Sequence, residues 1–156
     1  MEKIPGLVPI RNFAIVDENK RLYRSAQPMY RYEYEWLRNK LGLSHIVNLR
    51  SESSHDNMFA PANGIEVKTI AVPDHKVPTV EQAQDFIEFV QNNENILFHC
   101  EHGHGRTSTF CVLARIATGW TLEDAIKEEL EVFGYEFKHP AQLEFLQSNF
   151  STVNAN

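Results

Sequence analysis

Apolar residues recur along this chain with two periods, and the alternation between them predicts the elements. Phe13–Val16 and Arg21–Arg24 flank the turn-rich tetrapeptide Asp17-Glu18-Asn19-Lys20, which predicts an N-terminal hairpin. Tyr34, Leu37 and Leu41 mark one face of a helix over 30–41 that ends at Gly42, where a left-handed cap costs little. Tyr30, Tyr32, Tyr34 and Trp36 read as packing residues of that helix. The β-branched runs "HIVNLR" (45–50) and "IEVKTIAV" (65–72) read as core strands. Thr79 and Gln82 form a capping-box pair ahead of Val80, Ala83, Phe86, Ile87 and Val90, so a helix packs there on a sheet. "NILFH" (95–99) is nearly all apolar, as a strand covered on both faces requires. From Arg106 to Thr118 the chain is apolar on most sides, which predicts a buried helix. Thr121 with Asp124 caps another helix to Phe133, and Pro140 opens a last one to Phe150. Strands and helices in this order give an α/β fold with helices on both faces of the sheet and leave strand order open.

Composition narrows the class. With 156 residues, 42% hydrophobic and 23% charged, the chain fits one domain, 1–156, that buries about two thirds of its unfolded surface. Pro5, Gly6 and Pro9 interrupt the apolar residues near the N-terminus, so neither a signal peptide nor a spanning helix is expected. The chain reads as soluble, cytoplasmic or exported with a leader removed. A net charge of −6 argues against nucleic-acid and membrane binding, and an anionic small substrate then needs a local basic pocket. Cys100 and Cys111 are too few for a disulfide framework.

The stretch "HCEHGHGRTS" (99–108) joins the strand at 95–99 to the buried helix. That arrangement aims loop amides and the positive end of a helix dipole at an anion. Gly103 and Gly105 let the loop Glu101-His102-Gly103-His104-Gly105 curl, and Arg106 can grip two phosphate oxygens as a fork. The same groups favour a thiolate at Cys100, and Thr107 can place a hydroxyl beside its sulfur. The rival reading is a metal cage, because His99, Cys100, His102 and His104 are all competent ligands. It leaves "GRTS" unexplained, and no second Cys/His group with a zinc pattern follows.

Cysteine, five residues, arginine, threonine, preceded by histidine, resembles the signature of the cysteine-dependent protein tyrosine phosphatase superfamily. The chain's length and the late loop resemble the dual-specificity branch, which implies a mostly parallel sheet flanked by helices. "VPDHKVPT" (72–79) is similar to the acid loop of the tyrosine-phosphatase-like inositol polyphosphatases, the cysteine phytases, with Val72 where ordinary tyrosine phosphatases have tryptophan. "NLRSESSH" (48–55) and "RSAQP" (24–28) resemble two further phytase segments, and the likeness spans about residues 10–150 in a minimal single-domain form. The resemblance implies a phosphocysteine mechanism with Cys100 as nucleophile, Arg106 as phosphate holder and Asp74 as general acid. It also implies His75, Lys76, Arg24, Arg50 and His55 around the substrate, with His99 and Glu52 in support. His45 and His139 are read as structural hydrogen-bonders. No cofactor and no metal are implied, and the substrate class is an inositol polyphosphate. The alternatives are a dual-specificity or tyrosine protein phosphatase and a phosphate-binding module without turnover.

Overall fold

A computed structural model describes residues 7–131, 134 and 140–150. Two short strands open the chain, β1 (Ala14–Asp17) and β2 (Leu22–Ser25), followed by α1 (Arg31–Asn39) and β3 (His45–Arg50). After two 3-10 turns come β4 (Glu66–Val72), α2 (Val80–Asn92), β5 (Ile96–His99), α3 (Gly105–Ala117), α4 (Leu122–Glu131) and α5 (Pro140–Phe150). The expected elements are present within one to two residues, except that the Phe133 end of α4 and His139 lie outside the described residues.

The five strands form one sheet in the order β1-β2-β5-β3-β4. Only β1 runs antiparallel, and β2, β5, β3 and β4 are mutually parallel. Alternate side chains of the inner strands feed two cores. Leu22, Val47 and Phe98 join Phe86, Phe110 and Leu146 on the face covered by α2 to α5. Tyr23, Ile46 and Leu97 join Tyr34 and Leu37 on the face covered by α1. This period-2 division is what a parallel sheet with two covered faces demands. Helix α3 lies in the larger core with every residue from Arg106 to Arg115 buried. No helix among the described residues is long and apolar enough to cross a membrane.

Local chemistry sets the boundaries. Gly42 takes φ +67°, and the amides of Gly42 and Leu43 return to the carbonyls of Arg38 and Leu37 to close α1. Thr79 Oγ1 accepts from Gln82 N and Gln82 Oε1 accepts from Thr79 N, both at 3.0 Å, so the capping box forms as expected. Helix α2 has no basic residue in its last turn. Lys20, in the β1–β2 turn, supplies the missing charge: its ammonium donates to the carbonyls of Val90 (2.6 Å), Gln91 (3.0 Å) and Asn93 (3.2 Å). A cation at the negative end of the helix thus ties the hairpin to α2.

Lys20→Met keeps the alkyl stem and removes this tie, so the domain should lose about 1–2 kcal/mol, the range for charge-assisted bonds at a helix end. Urea unfolding measures it, and an unchanged midpoint would show that the tie is thermodynamically silent.

Candidate active site

All four parallel strands point the same way, so their C-terminal ends lie along one edge of the sheet, where α/β folds place their ligands. The four segments singled out in the sequence begin there. Ala26-Gln27 follows β2, Glu52 follows β3, Pro73-Asp74 follows β4 and Cys100 follows β5.

The loop after Cys100 is shaped from behind, through its carbonyls. Cys100 O accepts from His99 Nδ1 (3.0 Å) and Glu101 O from the Gln27 amide (3.0 Å). His102 O accepts from Asn12 Nδ2 (2.6 Å), Gly103 O from an Arg24 terminal nitrogen (3.1 Å) and His104 O from the Ser108 amide (2.6 Å). In a trans peptide the carbonyl and the next amide point in opposite directions. Pinning the carbonyls of 100–103 outward therefore turns the amides of 101–104 to the opposite side, into an anion-binding nest at the N-terminus of α3. Gly103 has φ +86°, and a Cβ there would lie 3.0 Å from the backbone of Ser25 and Ala26, so no larger residue fits.

Cys100 is 4% exposed, at the floor of this nest, and the Thr107 hydroxyl donates to its sulfur at 2.9 Å. The second cysteine is in a different setting: burial pushes the Cys111 thiol up to about 12, so it stays protonated. Arg106 donates to both Glu52 oxygens (2.8 and 2.9 Å) and to the Val72 carbonyl (2.8 Å). Those bonds leave the Nε–H edge and one terminal N–H for an anion. Burial works to lower the Arg106 pKa, but the bonds from Glu52 and the nearby Cys100, Glu52 and Asp74 outweigh it and hold it above its usual range. Asp74 Oδ1 sits 3.5 Å from Arg106. Its turn is closed by the Lys76 amide on the Pro73 carbonyl (3.0 Å) and forces His75 to φ +65°, a strained conformation for a side-chain-bearing residue.

A cavity of about 280 Å³ lies over Cys100 and Arg106. Asp74, His75, Glu101, His102, His104 and Gly105 line it as well. Other expected residues fall elsewhere. Arg24 is a correction: it is fully buried behind the loop, on Glu129, Gly103 and Ser108, and cannot meet a substrate. His55 is turned away, its Nε2 at 2.7 Å from the Met29 carbonyl and its ring against Phe59. Lys76 is exposed but not among the lining residues, and Arg50, held by Glu52 and Gln27, lines a neighbouring cavity. Tyr34 and Trp36 pack as expected, whereas Tyr30 and Tyr32 are 60% and 56% exposed and line that same neighbouring cavity. The four candidate metal ligands diverge: the His99 ring faces Asp56, His104 faces Asn12 and His102 faces Glu101. Among the described residues no three His, Cys, Asp or Glu side chains converge as a metal site requires.

Asp56, Glu129 and Gln142 escaped the sequence reading, which singled out Gln27 only as part of the segment 24–28. Asp56 accepts from His99 Nε2 (2.5 Å), Tyr34 (2.7 Å) and Gln27 (2.9 Å). Burial works to raise its pKa, but the charge of His99 and these three bonds outweigh it and hold it below the carboxylate range. Gln27 supplies both an amide to the loop and its side chain to Asp56. Glu129, on α4, is fully buried between Arg24 and Arg115. Gln142, on α5, is 1% exposed and lines the cavity, and neither of its amide atoms has a hydrogen-bond partner among the described residues. Asp56, Glu129 and Gln142 belong to no segment singled out in the sequence. The side-chain partners of Asp56 and Glu129 lie 14 to 105 residues away.

Two outcomes follow from these bonds. Glu129→Gln leaves two buried guanidinium groups without their carboxylate and should cost about 3–5 kcal/mol, the scale for breaking a buried pair, read by urea unfolding. The bonds from Arg106, with those from Arg50, push Glu52 down from 4.5 to about 2 against the opposing effect of burial. A carboxyl lowered in the folded state contributes its full stability above pH 4.5 and loses it as pH falls through about 2. The difference between wild type and Glu52→Gln should therefore be constant above pH 4.5 and shrink toward pH 2. A difference that does not change with pH would refute the clamp.

Comparison with known proteins agrees with this geometry. The sequence profile of the tyrosine phosphatase family matches residues 7–155. No curated protein sequence matches the chain. Among solved structures, the core catalytic domain of the PP-IP phosphatase Siw14 from S. cerevisiae is similar with a TM-score of 0.76 at 22% identity, over 96% of this chain and 92% of that one. Tk-PTP in its active form has a TM-score of 0.74 at 24% identity, over 88% and 95% of the two chains. PTPMT1 in complex with PI(5)P has a TM-score of 0.74 at 18% identity, over 92% and 97%. These structures share the fold, a five-stranded and mostly parallel sheet flanked by helices. With the family profile spanning nearly the whole chain and the cysteine-to-arginine loop in place between β5 and α3, this protein belongs to the tyrosine phosphatase family and is one of its cysteine-dependent phosphatases.

Proposed function

We propose that the chain is a metal-independent phosphomonoesterase that removes phosphate from inositol polyphosphates through a phosphocysteine intermediate. Cys100 Sγ attacks phosphorus in line, forming the S–P bond as the bond to the leaving alkoxide breaks. Arg106 and the amides of 101–104 hold the equatorial oxygens, and the carboxyl of Asp74 gives its proton to the alkoxide. Water then attacks phosphorus, Asp74 takes its proton, and the S–P bond breaks to return the thiolate and inorganic phosphate. The unpartnered amide of Gln142, aimed into the cavity, is placed to bind that water. Thr107 stabilises the sulfur as it leaves.

One observation carries the substrate class. Among the described residues, the lining of the cavity over Cys100 has His75, His102 and His104 and no Phe, Tyr or Trp, so these residues offer polar donors rather than a wall for a phenyl ring. The S. cerevisiae neighbour named a PP-IP phosphatase supports the same class. A phosphotyrosine reading draws on Tyr30 and Tyr32, but these flank the neighbouring cavity rather than this one.

Phosphate release from inositol hexakisphosphate and from a phosphotyrosine peptide, measured side by side, tests the proposal. The inositol compound should have the lower KM. Cys100→Ser should lose turnover by at least about a thousandfold, the scale for removing a nucleophile. A preference for the peptide would move the chain to the protein phosphatases, and retained turnover in Cys100→Ser would remove the phosphocysteine.

A further inference from the structure

A second cavity, of about 550 Å³, opens beside the first, and Glu101 and His102 line both. The two cavities therefore adjoin at that wall. Arg50 and Arg11 stand on it, in a chain whose net charge is −6. Arg50 is held rigidly: Nε donates to Glu52 (2.9 Å) and one terminal nitrogen to Gln27 Oε1 (3.0 Å). Its other terminal nitrogen faces Glu101 Oε1 at 3.7 Å, and Glu101 Oε2 faces His102 Nε2 at 3.4 Å. Both distances exceed those of a good charged hydrogen bond, so the Glu101 carboxylate lies loosely between a guanidinium and an imidazole. Its oxygens occupy the position that an incoming anion would take.

The lining also has an aromatic part. Tyr30 and Tyr32 stack with centroids 5.7 Å apart and planes 10° from parallel, and both are more than half exposed. Residues two apart on a helix do not face each other. These meet because Tyr30 is the extended N-cap of α1 (φ −110°, ψ 154°), so the pair exists only where the chain enters the helix. A flat exposed ring pair beside fixed guanidinium groups suits a compact ring bearing phosphates: its C–H face on the tyrosines, its anions on the arginines.

We propose that this cavity is a second phosphate subsite. It holds another phosphate of the same phosphorylated cyclitol whose scissile phosphate lies over Cys100. Arg11 and Arg50 take that phosphate, Glu101 gives up Arg50 and His102 to it, and the Tyr30–Tyr32 pair supports the ring. This subsite rests on the reading of the first cavity as the phosphatase site, and it selects substrates with at least two phosphates.

Binding, which needs no turnover, tests the subsite apart from the chemistry. In the full-length Cys100→Ser chain, calorimetry would compare Arg11→Ala and the pair Tyr30→Ala/Tyr32→Ala with the unaltered surface. Three probes are used: inorganic phosphate, soluble inositol hexakisphosphate, and phosphatidylcholine vesicles with a phosphatidylinositol phosphate as the one anionic lipid. Arg11→Ala should weaken the cyclitol ligand about tenfold, the loss of one charge-assisted bond, and leave inorganic phosphate unchanged. The tyrosine pair should do the same more weakly. Weakening with the soluble compound assigns the subsite to free inositol polyphosphates, and weakening with vesicles alone assigns it to a lipid headgroup. Unchanged cyclitol affinity in both forms, equal weakening of inorganic phosphate, or no cyclitol binding at all would overturn it. Absence of phosphate release from the wild-type enzyme would instead sink the catalytic reading.

Discussion

The site depends on where five carbonyl groups point. A loop that must present several amides to one anion cannot do so by glycine alone, since a flexible loop would scatter them. Here each carbonyl from Cys100 to His104 has a donor on the far side, and four of the five donors come from outside α3: His99, Gln27, Asn12 and Arg24. Peptide planarity converts that outward pinning into inward amides. The nest is thus preorganised before any ligand arrives, which is the condition for electrostatic stabilisation without reorganisation.

The donors are themselves fixed by buried charge. Arg24 holds the Gly103 carbonyl and is held by Glu129 of α4, which also takes Arg115 of α3. His99 holds the Cys100 carbonyl and is held by Asp56, which Tyr34 and Gln27 complete. Groups of this kind, removed from water, retain their charge only when fully paired. A change on α4 or in the 3-10 turn at Asp56 therefore reaches the loop through two bonds. Arg106 does the corresponding work at the front, joining Glu52 after β3 to the Val72 carbonyl that precedes Asp74. Its fork brings the loop of Cys100, the loop of Asp74 and Glu52 to one point.

The two cavities share a wall at Glu101 and His102, and their contrast divides chemistry from selection. The smaller one contains the sulfur, the guanidinium and the carboxyl. The larger has cations and an aromatic platform but no nucleophile, and its carboxylate Glu101 is only loosely engaged.

Hydrophobic period and capping chemistry determined nearly every element, because each depends on residues within a few positions: the Thr79–Gln82 box, the Gly42 stop, the apolar run at 96–99. The loop 100–106 was equally legible, since strand, glycines, arginine and helix are contiguous. Tertiary structure alone decided the strand order, which sets β5 between β2 and β3 and so gathers four distant segments at one edge. It also decided the fate of the cations. A sequence shows that Arg24 and Arg50 are charged but not which one is buried, and Glu129, 105 residues from Arg24, is what draws Arg24 behind the loop. Tyr30 and Tyr32 likewise lie close to Tyr34 in sequence, and the extended backbone of Tyr30 at the N-cap is what brings their two rings together outside the core. Local patterns record short-range backbone chemistry, whereas burial and pairing of charged groups depend on which distant elements the fold places together.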